Sequence, residues 1–418
     1  MTAKSGRDDD TKLTRRALLT STGAIAAGVA VAGCEYKTQF YLLSDAPESE
    51  ATNASWQGSS VVARRPLGRT GFDMSDISFG TSKLQDPAVA RRAIERGINY
   101  FDTSPDYSDA ASERALGEGI KGIPRDQLFI ASKFCSPDGH LDDDTPVPEV
   151  IAAVEGSLKR LQVDHLDLVH VHAVNSVDRL MAPNLHEAFD RLKEQGKVRF
   201  LGVSSHTPRL EEVMRHAVDS DRFDVIMVAY NFKNWPKLHD IFHDAHEKGI
   251  GVVAMKTLKG AYHSQLADFT ATDRESFSQA AFKWVLANPD VSGLVISIAH
   301  FPQIDEYLYA SGKAPTKQDV ALLEKYDESI AKVYCRPGCG ECLESCPADV
   351  PVDDLLRYRM YAESYGQERD AMRAYAKVDP DRTAANCATC PAPCEPACPF
   401  EIPIRERLVE THRLLRWA

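Results

Sequence analysis

Residues 148–172 read PEVIAAVEGSLKRLQVDHLDLVHVH. The first part, Pro148–Leu161, repeats apolar residues three and four apart, the spacing of a helix with one buried face. The second, Leu166–His172, is a short apolar run of strand length. The same pairing recurs on both sides. Further strand candidates are Asp76–Gly80, Asn99–Thr103, Leu128–Lys133, Val198–Ser204, Phe223–Tyr230, Gly251–Lys256 and Ser292–Ile298, with helical patterns such as Leu185–Gln195, Leu238–Lys248 and Phe277–Ala287 between them. Eight strands alternating with helical stretches is the pattern of an α/β fold closed as a (β/α)8 TIM barrel. A doubly wound sheet would need a glycine-rich phosphate loop after its first strand, and here that strand ends Phe79-Gly80-Thr81-Ser82. Upstream, Arg65-Pro-Leu-Gly-Arg-Thr-Gly71 has turn composition and is expected to form a hairpin that plugs the bottom of the barrel. The barrel is expected over 61–314.

The segment 315–418 has a different character. It opens with a helix near Lys317–Lys332 and closes with one at Ile404–Leu415. Between them lie two cysteine blocks separated by a helical stretch, Val352–Ala376. The blocks are Cys335, Cys339, Cys342 and Cys346, then Cys387, Cys390, Cys394 and Cys398, each closed by proline. Together they hold eight of the ten cysteines of the chain. Four thiolates per block ending in Cys-Pro is the ligand arithmetic of two [4Fe–4S] clusters. Two all-cysteine zinc sites or a set of disulfides remain open as other readings of the same residues.

The N-terminus reads as an address. Thr14-Arg15-Arg16-Ala17-Leu18-Leu19 precedes an uncharged apolar run, Ala24–Ala32, too short for a comfortable membrane span. Twin arginines before such a run resemble a Tat export signal, and Val31-Ala32-Gly33-Cys34 resembles a lipobox with Cys34 as the lipid-bearing residue. Residues 1–34 are thus expected to be a signal and 35–60 a linker. The protein is expected to be exported, as a periplasmic or membrane-anchored lipoprotein, touching membrane only through that segment. The net charge of −12, from 49 basic and 61 acidic residues, gives no basic footprint for nucleic acid.

Barrel enzymes carry their chemistry at the C-terminal ends of the strands. In this chain the second strand ends at Asp102, with Tyr107 in the following loop. The third ends at Lys133 and the fourth at His172. A structural ion pair, Lys133 with Asp102, is the plainer reading of two of these residues. His170 shares a strand face with His172 and reads as a core histidine. Cys135 reads as a buried free thiol near the mouth.

Four segments carry a resemblance to the aldo/keto reductases: Phe101-Asp102-Thr103-x3-Tyr107 with Ser112-Glu113 behind it, Ser132-Lys133, Asp167-x4-His172, and Gly202-Val203-Ser204. The opening Leu67-Gly68-Arg69-Thr70-Gly71 also fits. The resemblance covers about 65–310. It implies an NAD(P)H-dependent oxidoreductase acting on a small carbonyl or alcohol. Tyr107 would be the proton donor, Lys133 would lower its pKa, Asp102 would orient Lys133, and His172 would hold the substrate oxygen. It places Ser204, Ser205 and Tyr230 at the cofactor. The family's nicotinamide-contacting Asn and Gln stand here as Ser205 and Met227. The segment after the last strand, residues 298–306, has no Lys or Arg for a 2′-phosphate.

Residues 315–418 resemble the ferredoxin-like dicluster tail of one subgroup of that family, a small mainly helical domain. The block spacings differ from the bacterial ferredoxin run by one residue. If its crossover rule holds, Cys398 completes the site of Cys335, Cys339 and Cys342, and Cys346 completes that of Cys387, Cys390 and Cys394. Hydride chemistry moves two electrons and a cluster moves one, a mismatch that an intermediary such as flavin usually bridges. No flavin motif stands out. The first reading has the clusters wiring the reductase to an external redox partner protein. The alternative function is an iron–sulfur electron-transfer protein with the barrel as a binding scaffold. A third reading has the clusters only bracing the tail.

Overall fold

A computed structural model describes residues 53–416, apart from 208, 233–235, 259–275, 330–331, 337–338 and 366–367. The twin-arginine segment, Cys34, most of the expected linker and the loop at 259–274 lie outside the described residues. What remains of the linker packs on the barrel, where the Gly58 amide donates to Asp305 Oδ1 at 3.2 Å. Among the described residues, no helix is long and apolar enough to cross a membrane.

The chain enters through a hairpin of β1 (Arg64–Pro66) and β2 (Asp73–Ser75), paired antiparallel. Its turn drives Leu67 into the barrel interior beside Met74. Gly68 is required there: its φ is 51°, and a Cβ would lie 2.3 Å from the Gly251 backbone nitrogen. This is the plug the sequence leads one to expect.

Eight parallel strands follow: β3 (Ile77–Gly80), β4 (Tyr100–Asp102), β5 (Phe129–Lys133), β8 (Leu166–Val171), β9 (Val198–Ser205), β10 (Val225–Ala229), β11 (Gly251–Met255) and β12 (Gly293–Ser297). They close into a barrel in which β12 pairs back onto β3, with Leu294 opposite Ile77. A short antiparallel hairpin, β6 (Cys135–Ser136) and β7 (Gly139–His140), rises from the end of β5.

Strand alternation sorts the side chains into two cores. Tyr100, Phe129, Ala131, Leu168, Val225 and Met227 fill the inside of the ring. Phe101, Ile130, Val169, Leu201, Val203 and Val228 face the helical layer outside. That layer includes helices Val147–Leu161, Pro183–Glu194 and Phe277–Leu286, the last opened by a capping box between Ser276 and Gln279.

The tail is mainly helical and has its own small core, built on Val350, Leu355, Leu356, Ile402, Ile404 and Leu408. Its final helix spans Ile404–Leu415 as expected. The helical stretch expected over Val352–Ala376 is helical over Val352–Tyr365 and Glu368–Ala376, with 366–367 outside the described residues.

Candidate active site

Parity along the strands decides which residues reach the mouth. Asp102 lies two beyond inward Tyr100, Lys133 two beyond inward Ala131, and His172 four beyond inward Leu168. All three are buried. Lys133 Nζ donates to Asp102 Oδ1 at 2.7 Å and to the Thr103 carbonyl at 2.8 Å. The same ammonium lies 4.9 Å from the centre of the Tyr107 ring. That ring meets His172 edge-on, with centroids 6.4 Å apart. The structure therefore brings together all four residues expected at the mouth.

The loop carrying Tyr107 is held under tension. Ser108, Asp109 and Ala110 all have φ between 51° and 63°, three successive non-glycine residues in the left-handed region. Such backbone persists only where its surroundings fix it. Glu113, buried just beyond, is one fastening: Oε1 accepts from Ser132 Oγ at 2.9 Å and Oε2 from Arg160 Nε at 2.6 Å. This gives Ser112-Glu113 and Ser132 a structural reason to accompany the tetrad. Asp167 does the same for β8, accepting from the Ile130 amide at 2.9 Å and from Arg199 at 2.8 Å.

The charges follow from burial. Burial works against the Lys133 ammonium, but Asp102 beside it more than offsets this and its pKa is raised. Burial pushes the Asp102 carboxyl up while Lys133 pulls it back. The Tyr107 phenol is also raised, because burial outweighs the pull of Lys133, and Asp102 and Asp106 add to the rise. This corrects the expectation of a depressed phenol, since a neighbour's charge is legible in sequence and the loss of water is not. Burial, with His140 and Lys133 nearby, keeps the His172 imidazole neutral. His170, fully buried and paired opposite Lys133 in the β5–β8 register, is likewise held neutral by burial and by the Lys133 charge. Its ring occupies the space Gly202 leaves open, where a Cβ would approach Nδ1 to 2.5 Å.

Of the residues expected at the cofactor, one faces inward. Ser204 shares the parity of Phe200, and its Oγ accepts from the Ala173 amide at 3.2 Å. Ser205 has the outward parity of Leu201 and Val203, and its hydroxyl donates to the Val174 carbonyl at 2.7 Å. Tyr230 also lies in the outer layer, packed against Phe242 and Trp284, with Asn288 donating to its hydroxyl. Neither Ser205 nor Tyr230 belongs to the mouth: motif carry-over placed them there, and strand alternation turns both away. After β12, Gln303 Oε1 accepts from the backbone amides of Ala299 and His300, closing the start of helix Phe301–Leu308.

With this geometry in place, residues 76–265 match the sequence pattern of the aldo/keto reductase family. These residues form an aldo/keto reductase family domain. L-galactose dehydrogenase of Arabidopsis thaliana is 29% identical over 286 residues, 60% of this chain and 88% of the relative. The uncharacterized oxidoreductase YqkF of Bacillus subtilis (strain 168) is 24% identical over 304 residues, 63% of this chain and 96% of the relative. Among solved structures, an aldo-keto reductase of Bacillus halodurans in its holo form has 25% identity and a TM-score of 0.52, covering 63% of this chain and 95% of that one. The protein is an NAD(P)-dependent oxidoreductase of the aldo/keto reductase type.

The tail of the reductase rests on the same rim. The Tyr361 hydroxyl contacts His206 Nδ1 and lies 3.2 Å from the His206 carbonyl oxygen, just past β9. Arg373 donates to the Asp138 carbonyl at 2.5 Å on the β6–β7 hairpin. Lys256, at the end of β11, lies 5.6 Å from the centre of the Tyr361 ring. Burial, with Arg357 and Lys83 nearby, brings the Lys256 pKa down to about 7. Sequence reasoning missed this contact, because nothing in either segment names the other.

Within the tail, a cavity is lined by Cys335, Cys339 and Cys342 of the first block together with Cys398 of the second. Burial pushes the Cys387 and Cys394 thiols of the second block up, and Cys346 of the first block lies near enough to add to both. The Val350 amide donates to Cys346 Sγ at 3.3 Å and the Ala392 amide to Cys390 Sγ at 3.4 Å. All eight cysteines are free thiols. Two four-sulfur sets with amides turned toward sulfur are a donor chemistry that fits iron–sulfur clusters.

Proposed function

We propose that this reductase interconverts a small carbonyl and its alcohol with NAD(P)H, using Tyr107 as the proton donor, in an exported protein whose tail carries two [4Fe–4S] clusters. The observation that carries the reading is the Lys133 ammonium, fixed by Asp102 at 2.7 Å and lying 4.9 Å from the Tyr107 ring centre. Bound NAD(P)H supplies the hydride to the carbonyl carbon. Tyr107, protonated at rest, gives its proton to the oxygen that gains charge. Lys133 stabilises the phenolate left behind, and Asp102 keeps that ammonium charged and in place. His172, a neutral imidazole, donates an N–H to the substrate oxygen and sets its angle. The inward Ser204 is the candidate contact for the nicotinamide end. With Met227 in place of an amide and no Lys or Arg over 298–306, side-chain grip on the nucleotide is weaker than the family pattern implies.

The cavity that groups Cys398 with Cys335, Cys339 and Cys342, and the nearness of Cys346 to Cys387 and Cys394, support Cys335, Cys339, Cys342 and Cys398 as one cluster site and Cys346, Cys387, Cys390 and Cys394 as the other. Bound clusters supply one-electron transfer. The tail's seat on the barrel rim supports a role in passing electrons between the mouth and a partner protein. Export through the twin-arginine segment, with Cys34 as a lipid anchor, suits a protein that folds around its cofactors before it crosses the membrane.

Anaerobically purified protein tests the central claim. Nucleotide oxidation is followed with a panel of small aldehydes and ketones, for wild type and Tyr107→Phe. Losing the proton donor is expected to lower kcat by about 10²–10⁴ with nucleotide binding retained. A Tyr107→Phe enzyme with wild-type turnover would end the proposal.

A further inference from the structure

The β6–β7 hairpin places two metal-binding side chains on one face. Cys135 and His140 are directly opposed across it, so both side chains leave from the same side. Cys135 Sγ lies 3.0 Å from His172 Nδ1. Asp106, from the loop after β4, brings Oδ2 to 3.8 Å from that nitrogen and to 3.6 Å from His140 Nε2. One ligand atom from each of the four lies within 4.8 Å of all the others. A separate observation also points to a ligand. The other oxygen of Asp106, Oδ1, is buried without a hydrogen-bond partner among the described residues. Buried carboxylate oxygens are normally satisfied, and a bound ion is one recognised reason for an exception.

We propose that Asp106, Cys135, His140 and His172 form a binding site for a single Zn²⁺ ion at the barrel mouth. One thiolate, two imidazoles and one carboxylate suit zinc, whereas magnesium and calcium take oxygen ligands. Bonds of about 2.0–2.3 Å to a tetrahedral zinc set neighbouring ligand atoms roughly 3.3–3.8 Å apart. The separations of 3.0, 3.6 and 3.8 Å lie close to that range. Charge also closes. Binding releases the Cys135 proton to solvent, and thiolate plus carboxylate then neutralise the dication. Three ligands are rigidly buried or nearly so, and the fourth sits on an exposed hairpin strand that offers a way in.

Coordination through His172 Nδ1 would leave that ring's proton on Nε2 and fix the ring's orientation. The site shares His172 with the carbonyl chemistry proposed above, but metal content is measured without turnover, so the two readings fail separately. It is also distinct from the eight tail cysteines, whose donors are all sulfur.

The test uses the full chain, purified anaerobically with its iron content measured, given one equivalent of Zn²⁺ and then desalted. Zinc and iron are quantified by mass spectrometry, and the zinc shell is read by X-ray absorption. The expected result is close to one zinc per chain with a mixed sulfur, nitrogen and oxygen shell. Both His140→Ala and Cys135→Ser should lower retained zinc by about tenfold or more with iron unchanged. His140 is exposed, so its variant remains informative if the buried Cys135 substitution impairs folding. Loss of zinc from wild type on desalting, equal retention in His140→Ala, or an all-sulfur shell would overturn the proposal.

Discussion

Asp102→Asn probes the pair on which the mouth is built. The Lys133 side chain is 2% exposed and that of Asp102 6%, with 2.7 Å between nitrogen and oxygen. Removing the carboxylate charge leaves a buried ammonium hydrogen-bonded to the neutral Thr103 carbonyl at 2.8 Å, with the weaker pull of Asp106 still acting on its charge. Breaking a buried ion pair from one side costs about 3–5 kcal/mol. Two limits push the expected value toward the lower end. Asparagine still offers Lys133 an oxygen acceptor. The lysine can also shed its proton, which at pH 7 costs about 5 kcal/mol and so caps the penalty. The expected loss is therefore about 3 kcal/mol, read by urea unfolding followed by circular dichroism. Turnover falls as well, because an ammonium that has lost its charge no longer stabilises phenolate. The double variant Asp102→Asn/Lys133→Met removes both charges, and its cost should fall short of the sum of the single variants by about 2 kcal/mol. A single variant that unfolds within about 1 kcal/mol of wild type, together with an additive double variant, would show that the pair is not buried and coupled as described.

The cluster assignment predicts a pattern of iron loss. Cys346→Ser should remove about half the iron, and adding Cys387→Ser should remove no more, whereas adding Cys335→Ser should remove the rest; iron analysis of the three proteins decides it, and the reverse pattern would restore ligation within each block. Lys256 sets a pH dependence at the barrel–tail contact. Its folded pKa of about 7 lies below its usual 10.5, so between those values the unfolded chain holds a proton the folded chain lacks, and stability rises with pH. Below about pH 7 the ammonium is charged in both states and its burial penalty is fully present. Lys256→Met should flatten this window and stabilise the protein at pH 6 by about 1–2 kcal/mol, after allowance for solvent screening; an unchanged pH profile of the unfolding midpoint would refute the assignment.

The barrel was legible because its signal is periodic and local. Strand runs such as Leu128–Lys133 and Leu166–His172, spaced by amphipathic stretches, fix the element type, and their order leaves few topologies. Asp102, Lys133 and His172 were legible for a further reason: each closes a strand, and strand ends share one rim. Ser205 and Tyr230 went astray where a motif outvoted the alternation, although inward Met227 three places earlier already gives Tyr230 the outward parity. The β6–β7 hairpin was missed, yet Ser136-Pro137-Asp138-Gly139 between Cys135 and His140 is turn chemistry that could have marked it. The raised Tyr107 phenol and the lowered Lys256 ammonium could not have been read from the chain. Both depend on how much water the folded mouth excludes, and for Lys256 on a tail helix about a hundred residues away.

The seat of the tail on the strand-end rim has a consequence for the order of assembly. The ring closes only when β12 meets β3, more than two hundred positions earlier in the chain. The cysteine segment follows β12 in synthesis, so the barrel can be complete while Tyr361 and Arg373 have yet to reach His206 and Asp138. Closure of the ring and docking of the tail are then successive events in the life of one molecule, and the rim stands open between them.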